Sequence, residues 1–143
     1  GIHVIATASP RSVDAVRAAG ADQIIDHTAA DVLGAIDGPV DVLLNLAPIE
    51  PELFETYVGA VADGGAVVST TAFMSTPSDE GRGVHAATVF VRRDRDRLVE
   101  LVRLVDEGAL TIEVTRRIPL AELPALHAEA TESGISGKVI VIP

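Results

Sequence analysis

The sequence has 143 residues, of which 48% are hydrophobic, and this is enough for one domain with a real core. Its 21 acidic residues against 11 Lys and Arg give a net charge of −10, which disfavours nucleic-acid partners and anionic membranes, and no apolar run approaches the roughly 20 residues that span a bilayer. The absence of cysteine excludes disulfides, thiolate zinc sites and thiol nucleophiles, and it fits a reducing compartment such as the cytoplasm.

Short apolar runs alternate with stretches of helical period from Ile2 to about Gly108, which predicts repeated βα units. The predicted strands are residues 3–8, 23–25, 40–47, 66–70 and 85–91. Because these strands lie too far apart for hairpins, we expect them to be mostly parallel with right-handed crossovers. The sequence therefore predicts an α/β fold with a doubly wound sheet, whose ligands bind at the carboxyl ends of the strands.

The segments between the strands are predicted to be helices, apart from one long loop. A first helix follows Ser9, and a second carries the apolar positions 54, 57, 58 and 61 and is expected to end at Gly64 and Gly65. Residues 72–84 have no period and are interpreted as a mobile loop bordering the substrate cleft. A third helix ends at Gly108, and the tail comprises a weak strand over 111–119, a helix over 121–132, a turn over 134–137 and a strand over 138–142.

No glycine-rich turn joins the first strand to the first helix, although a dinucleotide site would normally have one there. Either the chain has a different nucleotide fold, or it begins after the first βα unit. Gly1 opens directly into a strand, which favours the second interpretation.

The end of the first strand is then where cofactor choice is made. An acid at that position accepts a hydrogen bond from the free ribose 2'-hydroxyl of NAD. An arginine with hydroxyl neighbours instead binds the 2'-phosphate of NADP. No acid appears here before Asp14, so Ser9, Arg11 and Ser12 favour NADP, in a pocket expected to be free of carboxylates. Alternatively, Ser9 and Ser12 only cap a helix and Arg11 is solvated.

Six segments together resemble the medium-chain dehydrogenase/reductase superfamily, and within it the zinc-independent, quinone oxidoreductase-like branch. They are HVIATASPRSVDAVRAAGADQIID, VDVLLNLA, GGAVVSTT, RDRLVELVRLVDEGAL, IPLAELPALHAEA and ESGISGKVIVIP. The resemblance implies a Rossmann-type sheet lacking its first βα unit over residues 1–110. It implies that residues 111–143 return to complete a GroES-like catalytic domain. Without the partner half, the two strands of this tail would pair with each other or have unpaired edges.

The resemblance also implies site residues. It assigns Ser9 and Arg11 to the adenosine 2'-phosphate, together with His27, which stands where the family often has tyrosine. The segments that lie along the cofactor and near the nicotinamide correspond to Asn45, Leu46, Ala47, Ser69, Thr70, Thr71, Phe90 and Val91. No catalytic acid or base is identified in the chain.

The functional hypothesis is an oxidoreductase in which NADPH delivers hydride to a small molecule of the quinone, enone or aldehyde class. The alternative is a non-catalytic nucleotide-binding module, or a fragment that is inactive without a separate amino-terminal half. A Rossmann-like methyltransferase is a third, less favoured interpretation. The family likeness further implies a homodimer joined through the apolar strand 85–91.

Overall fold

Seven strands and four α-helices follow one another in the computed structural model, which describes residues 1–132, 134–135 and 137–143. The chain divides into two units, Gly1–Val91 and Arg92–Pro143. The functional partition after residue 110 stays a prediction, and the predicted turn over 134–137 lies partly outside the described residues.

The first unit begins with a parallel strand pair. Strand β1 (Ile5–Ala8) pairs with β2 (Gln23–Asp26), and helix α1 (Val13–Ala18) connects them. The register places Ala8 beside Asp26, so both strands end at the same level. This is the geometry that β-branched runs linked by a short helix predict.

The first unit also contains a three-stranded parallel sheet in the order β3-β4-β5. Its elements are β3 (Val40–Asn45), α2 (Pro51–Tyr57), β4 (Val61–Ser69) and β5 (His85–Thr88). The predicted α/β fold with parallel strands is confirmed. Strand β5 ends three residues earlier than predicted, so Phe90 and Val91 follow the strand.

The prediction that the second helix ends at Gly64 and Gly65 is wrong. Helix α2 ends at Tyr57, a 3-10 turn follows, and both glycines lie within β4. The pairing of β3 with β4 is irregular here, and Gly64 has a φ of +76°. A Cβ on Gly65 would lie 2.7 Å from the Asp41 carbonyl oxygen. The glycines therefore permit a bulge and a close approach of two strands.

The core of the first unit lies between α2 and one face of the three-stranded sheet. Its buried members are Phe54, Val58, Val61, Val67 and Val84. Leu43 of β3 packs against this cluster, whereas Val42 and Leu44 on the opposite face are each 57% exposed. The sequence predicts that β3 is covered on both faces, and in the described structure only one face is covered.

The second unit consists of α3 (Arg95–Asp106), β6 (Val114–Pro119), α4 (Leu123–Glu132) and β7 (Lys138–Ile142). The Asp94 side chain accepts the backbone N–H of Arg97 at 3.0 Å and so caps α3. Strands β6 and β7 pair with each other in parallel, which is one of the two arrangements expected for the tail.

Candidate functional site

A small cavity lies where β1 and β2 end. Its volume is about 280 Å³, and it is lined by Ala8, Ser9, Pro10, Val13, Ile24 and Asp26. Pairing of Ala8 with Asp26 brings the residues that follow both strands together. The cavity is thus at the carboxyl ends of parallel strands, where α/β folds bind their ligands.

Two of the predicted phosphate residues flank the ends of these strands. The His27 backbone N–H donates to the Ala8 carbonyl at 3.1 Å, which continues the ladder and brings His27 next to the end of β1. His27 and Arg11 are both exposed, and Arg11 lies in the connection between β1 and α1.

Ser9 and Ser12 form the turn that opens into α1. The Ser9 backbone N–H donates to Ser12 Oγ at 3.1 Å, and the Ser9 carbonyl accepts the N–H groups of Ser12 and Val13. Ser12 is the N-cap of α1, but its side chain makes no capping hydrogen bond to the helix, so the interpretation that the two serines cap the helix is not supported. The assignment of Ser9 to a phosphate stays a prediction.

Asp26 is a candidate residue that sequence reasoning missed. The expectation that the pocket beside Ser9 is free of carboxylates is wrong, because the neighbouring strand delivers Asp26 to the cavity. Thr28 donates to Asp26 Oδ1 through its hydroxyl at 2.6 Å and its backbone N–H at 2.9 Å. These bonds, with a smaller contribution from His27, lower the pKa of Asp26 and keep it ionised at neutral pH.

A second polar group lies at the ends of β3 and β4. Asn45 Nδ2 donates to Ser69 Oγ at 3.2 Å and to Thr71 Oγ1 at 3.1 Å. The two hydroxyl oxygens are 2.7 Å apart, and Ser69 and Thr71 are only 0% and 6% exposed. The structure thus brings together three residues that were predicted to lie along the cofactor.

The direction of the hydrogen bonds in this group follows from counting lone pairs. Ser69 Oγ accepts from Asn45 and from the Thr71 backbone N–H, so its own proton is directed to Thr71 Oγ1. Thr71 Oγ1 then accepts from both Asn45 and Ser69, and its proton is available to another acceptor. The group therefore offers a hydroxyl donor rather than a further acceptor at Thr71.

The remaining residues that were predicted to lie along the cofactor or near the nicotinamide are exposed. Thr70 donates its backbone N–H to the Asn45 carbonyl at 3.0 Å, which ties the ends of β3 and β4 together. The exposed residues are Leu46, Ala47, Thr70, Phe90 and Val91. Among them, Phe90 is 66% and Val91 99% exposed.

Several hydrogen bonds join the loop over residues 72–84 to the rest of the first unit, and its interpretation as mobile stays a prediction. Arg82 donates to Asp79 Oδ2 at 2.7 Å, to the Val61 carbonyl at 2.8 Å and to the Val58 carbonyl at 2.7 Å. Thr76 and Thr88 also join through their hydroxyls at 2.7 Å. A larger cavity of about 800 Å³ adjoins Arg82 and Val58, near the amino end of β4 and away from the predicted cofactor residues.

Metal-binding clusters and membrane-spanning helices are both absent from the described residues. No group of three His, Cys, Asp or Glu side chains among them is arranged to hold a metal ion. None of the helices in the described part of the chain is long and apolar enough to cross a membrane.

The comparisons with known proteins agree on one family. A profile of the zinc-binding dehydrogenase family matches residues 19–141. The chain is 26% identical to the mitochondrial NAD(P)H oxidoreductase RTN4IP1 of Mus musculus and 28% identical to the chloroplastic quinone-oxidoreductase QR1 of Triphysaria versicolor. Each match covers 99% of this chain but only 42% and 45% of the respective relative.

A solved structure gives the same result. The quinone oxidoreductase of Coxiella burnetii superposes with a TM-score of 0.84 at 26% identity, over 97% of this chain and 44% of that one. The chain spans less than half the length of these relatives and corresponds to their carboxyl-terminal, nucleotide-binding part.

Proposed function

The chain belongs to the zinc-binding dehydrogenase family, within the quinone oxidoreductase-like part of the medium-chain dehydrogenase/reductase superfamily, and we propose that it is the NADPH-binding portion of an oxidoreductase. The observation that carries this proposal is the position of its polar residues. They follow β1, β2, β3 and β4 at the carboxyl ends of the strands, where dinucleotides bind in such sheets.

The adenosine end of the cofactor is proposed to lie where β1 and β2 end. Ser9, Arg11 and His27 would hold the 2'-phosphate, since a guanidinium and an imidazole can both donate to phosphate oxygens. The ladder bond from His27 to Ala8 supports this grouping, because it brings the residues after the two strands together.

The nicotinamide end is proposed to lie along the ends of β3, β4 and β5. NADPH would supply hydride there, while the protein contributes binding and orientation. The hydrogen bonds among Asn45, Ser69 and Thr71 have one fixed direction. This group can therefore hold the adjoining backbone of Leu46 and Thr70 in place without rearranging when a ligand binds.

Substrate binding and catalysis are proposed to need a second polypeptide portion. In the described structure β1 pairs only with β2, and β3 pairs only with β4. The apolar side chains of Val42 and Leu44 are also largely exposed, as expected of a strand that is normally covered. The proposed substrate is a quinone, enone or aldehyde, and mixing with the complementary half should yield NADPH-dependent reduction. A purely nucleotide-binding module would bind the cofactor and give no reduction.

This portion of the protein does not fit a zinc ion by itself. The chain has no cysteine, and no metal-binding group occurs among the described residues. Membership of the zinc-independent branch stays a prediction.

The proposed assembly is a homodimer, and the proposed compartment is the cytoplasm. Strand β5 pairs with β4 on one side, and its residues His85, Ala86 and Ala87 are exposed, so its other edge suits pairing with a second copy. The lack of cysteine is compatible with a reducing compartment. A monomer in sedimentation velocity at micromolar concentration would contradict the dimer.

The cofactor proposal is tested by titrating NADPH and NADH against the wild-type chain and Arg11→Ala. We expect the substitution to weaken the binding of NADPH by about tenfold or more and to change the binding of NADH little, since only NADPH carries the phosphate. Arg17→Ala is the matched control, because Arg17 is an exposed arginine of α1 that pairs with Asp14. Equal weakening of both cofactors by Arg11→Ala would refute the assignment.

A further inference from the structure

The segment that joins the two units is rich in arginine and has no regular structure. Residues 89–94 lie between β5 and α3, and the boundary between the units falls after Val91. The sequence of this segment is VFVRRD, and all six of its residues are exposed, Val91 to 99%.

The backbone of the segment is open to an enzyme. Within the described residues, the peptide groups of residues 90–93 make no hydrogen bond, although those on both sides do. Val89 donates to the Ser69 carbonyl at 2.8 Å, and the Asp94 side chain accepts the Arg97 backbone N–H at 3.0 Å. A protease binds its substrate as an extended chain through backbone hydrogen bonds, so this stretch can bind without first unfolding.

The two arginines of the segment are also available. The alternating Arg and Asp residues that follow would be expected to neutralise one another, yet only Arg97 pairs with Asp94 there, at 3.5 Å, among the described residues. Neither Arg92 nor Arg93 makes a hydrogen bond or an ion pair with any described residue. Their guanidinium groups can therefore enter the acidic pocket by which trypsin-like proteases select arginine.

The other basic residues are protected by secondary structure. The structure describes all 11 Lys and Arg residues, and the others lie in a helix, a strand or a hydrogen-bonded turn. Arg11 lies in the turn that opens into α1, and the Arg82 guanidinium is bonded to two carbonyls. A second Arg-Arg pair, Arg116 and Arg117, lies in β6, which is paired with β7. The remaining ones are Arg17, Arg95, Arg97, Arg103 and Lys138.

We propose that the peptide bond between Arg92 and Arg93 is a processing site for an arginine-specific, trypsin-like endoprotease. Water adds across this bond, so that Arg92 gains a carboxylate and Arg93 an amino group. The bond between Arg93 and Asp94 is less suitable, because Asp94 is tied to the start of α3 by its capping hydrogen bond. The products are residues 1–92 and residues 93–143.

The position of the bond gives the cut a functional consequence. Every residue proposed to bind the cofactor, from Ser9 to Val91, stays on the first fragment, and the tail proposed to complete the catalytic domain is on the second. The buried cluster around Phe54 and Val67 also lies entirely on the first fragment, which therefore keeps its own core. This consequence rests on the proposed function, whereas the cut itself does not.

Limited digestion of the folded 143-residue chain with trypsin, followed by intact-mass spectrometry, tests the proposal. We expect the first cut after Arg92, at least about tenfold faster than any cut within β6, because a paired strand must open before a protease can bind it. Residues 1–92 should accumulate as a persistent fragment. A first cut after any other residue, or cuts at several sites at similar rates, would overturn the proposal.

Matched variants separate the arginine side chains from the openness of the segment. Arg92→Gln combined with Arg93→Gln should slow cutting of this segment by trypsin at least about tenfold, because the protease pocket loses its charged partner. Arg117→Gln, an exposed position in β6, is the control and should leave the rate of the first cut unchanged. Unchanged cutting of the double variant in this segment would overturn the proposal.

A protease without arginine specificity completes the test. Subtilisin should still make its first cut of the double variant within residues 89–94, because the backbone there stays open. A first cut elsewhere would contradict the openness of the segment and overturn the proposal.

Discussion

Arg82 provides the sharpest stability test, because its guanidinium joins three parts of the first unit. It donates to the carbonyls of Val58 and Val61 and to the Asp79 carboxylate. Val58 and Val61 are 6% and 1% exposed, so their carbonyls have little access to water. Replacing Arg82 with Ala would leave both oxygens without this donor.

The expected loss follows mainly from the Val61 carbonyl, because the Val58 carbonyl also accepts the Val61 backbone N–H. A buried polar group left unsatisfied costs about 1–3 kcal/mol. The Arg82 side chain is 33% exposed, so water can replace part of what is lost and the lower half of that range applies. Arg82→Ala should therefore lower the free energy of unfolding by about 1–2 kcal/mol, which lowers the urea midpoint by roughly 0.5–1 M.

Urea unfolding monitored by circular dichroism measures this loss. Arg103→Ala is the control, because Arg103 also makes three side-chain hydrogen bonds, but to Glu100 and Glu107 on the exposed surface of α3. Exposed pairs contribute at most about 1 kcal/mol, so this variant should stay close to wild type. If both variants lose the same stability, the reasoning about buried carbonyls is refuted.

Two further substitutions probe the same unit. Gly65→Ala would put a Cβ 2.7 Å from the Asp41 carbonyl oxygen and should lower the free energy of unfolding in urea by about 1–3 kcal/mol. Gly59→Ala is the control and should be nearly neutral, because a Cβ there has nothing within 4 Å. Equal losses in the two variants would contradict the close approach of the strands. The side-chain hydrogen bond from Arg82, followed by its backbone hydrogen bond, lowers the pKa of Asp79. The stability that the Asp79 carboxylate adds is therefore fully present above the ordinary aspartate pKa, and it is lost as the pH falls through the lowered pKa of Asp79. Asp79→Asn should flatten the fall in stability between about pH 5 and pH 2, and an unchanged slope would count against this.

The strands were predictable from the sequence because their signal is local. Continuous apolar runs such as Val40–Asn45, set too far apart for hairpins, lead to parallel pairing without knowledge of tertiary contacts. The group of Asn45, Ser69 and Thr71 was also predictable, since parallel strands bring their carboxyl ends together. Its hydrogen-bond direction depends on side-chain positions that no sequence pattern specifies.

The errors concern contacts between residues distant in sequence. Gly64 and Gly65 resemble a helix stop until the register of β3 against β4 shows that Gly65 meets Asp41. Asp26 lies far along the chain from Ser9, and only the pairing of β1 with β2 brings it to the cavity. The Asp26 and Thr28 spacing, typical of an Asx turn, was the available local signal.

The loop over 72–84 illustrates the same limit. Its Ser, Thr, Pro and Gly content is typical of mobile segments, and nothing local indicates that Arg82 reaches carbonyls 21 and 24 residues away. A long side chain can fix a loop through backbone acceptors that have no residue preference, so the sequence carries no pattern for it.

The most direct measurement for the cofactor-binding role is the map of backbone amide shifts in the ¹⁵N-labelled chain titrated with NADPH. We predict that the shifts concentrate on residues after the carboxyl ends of the strands, among them Ser9, His27, Asn45 and Thr70, and that NADH gives a weaker response at Ser9 and His27. Shifts confined to the amino end of β4, around Gly59 and Val61, or no saturable shifts at all, would contradict a dinucleotide site in this chain.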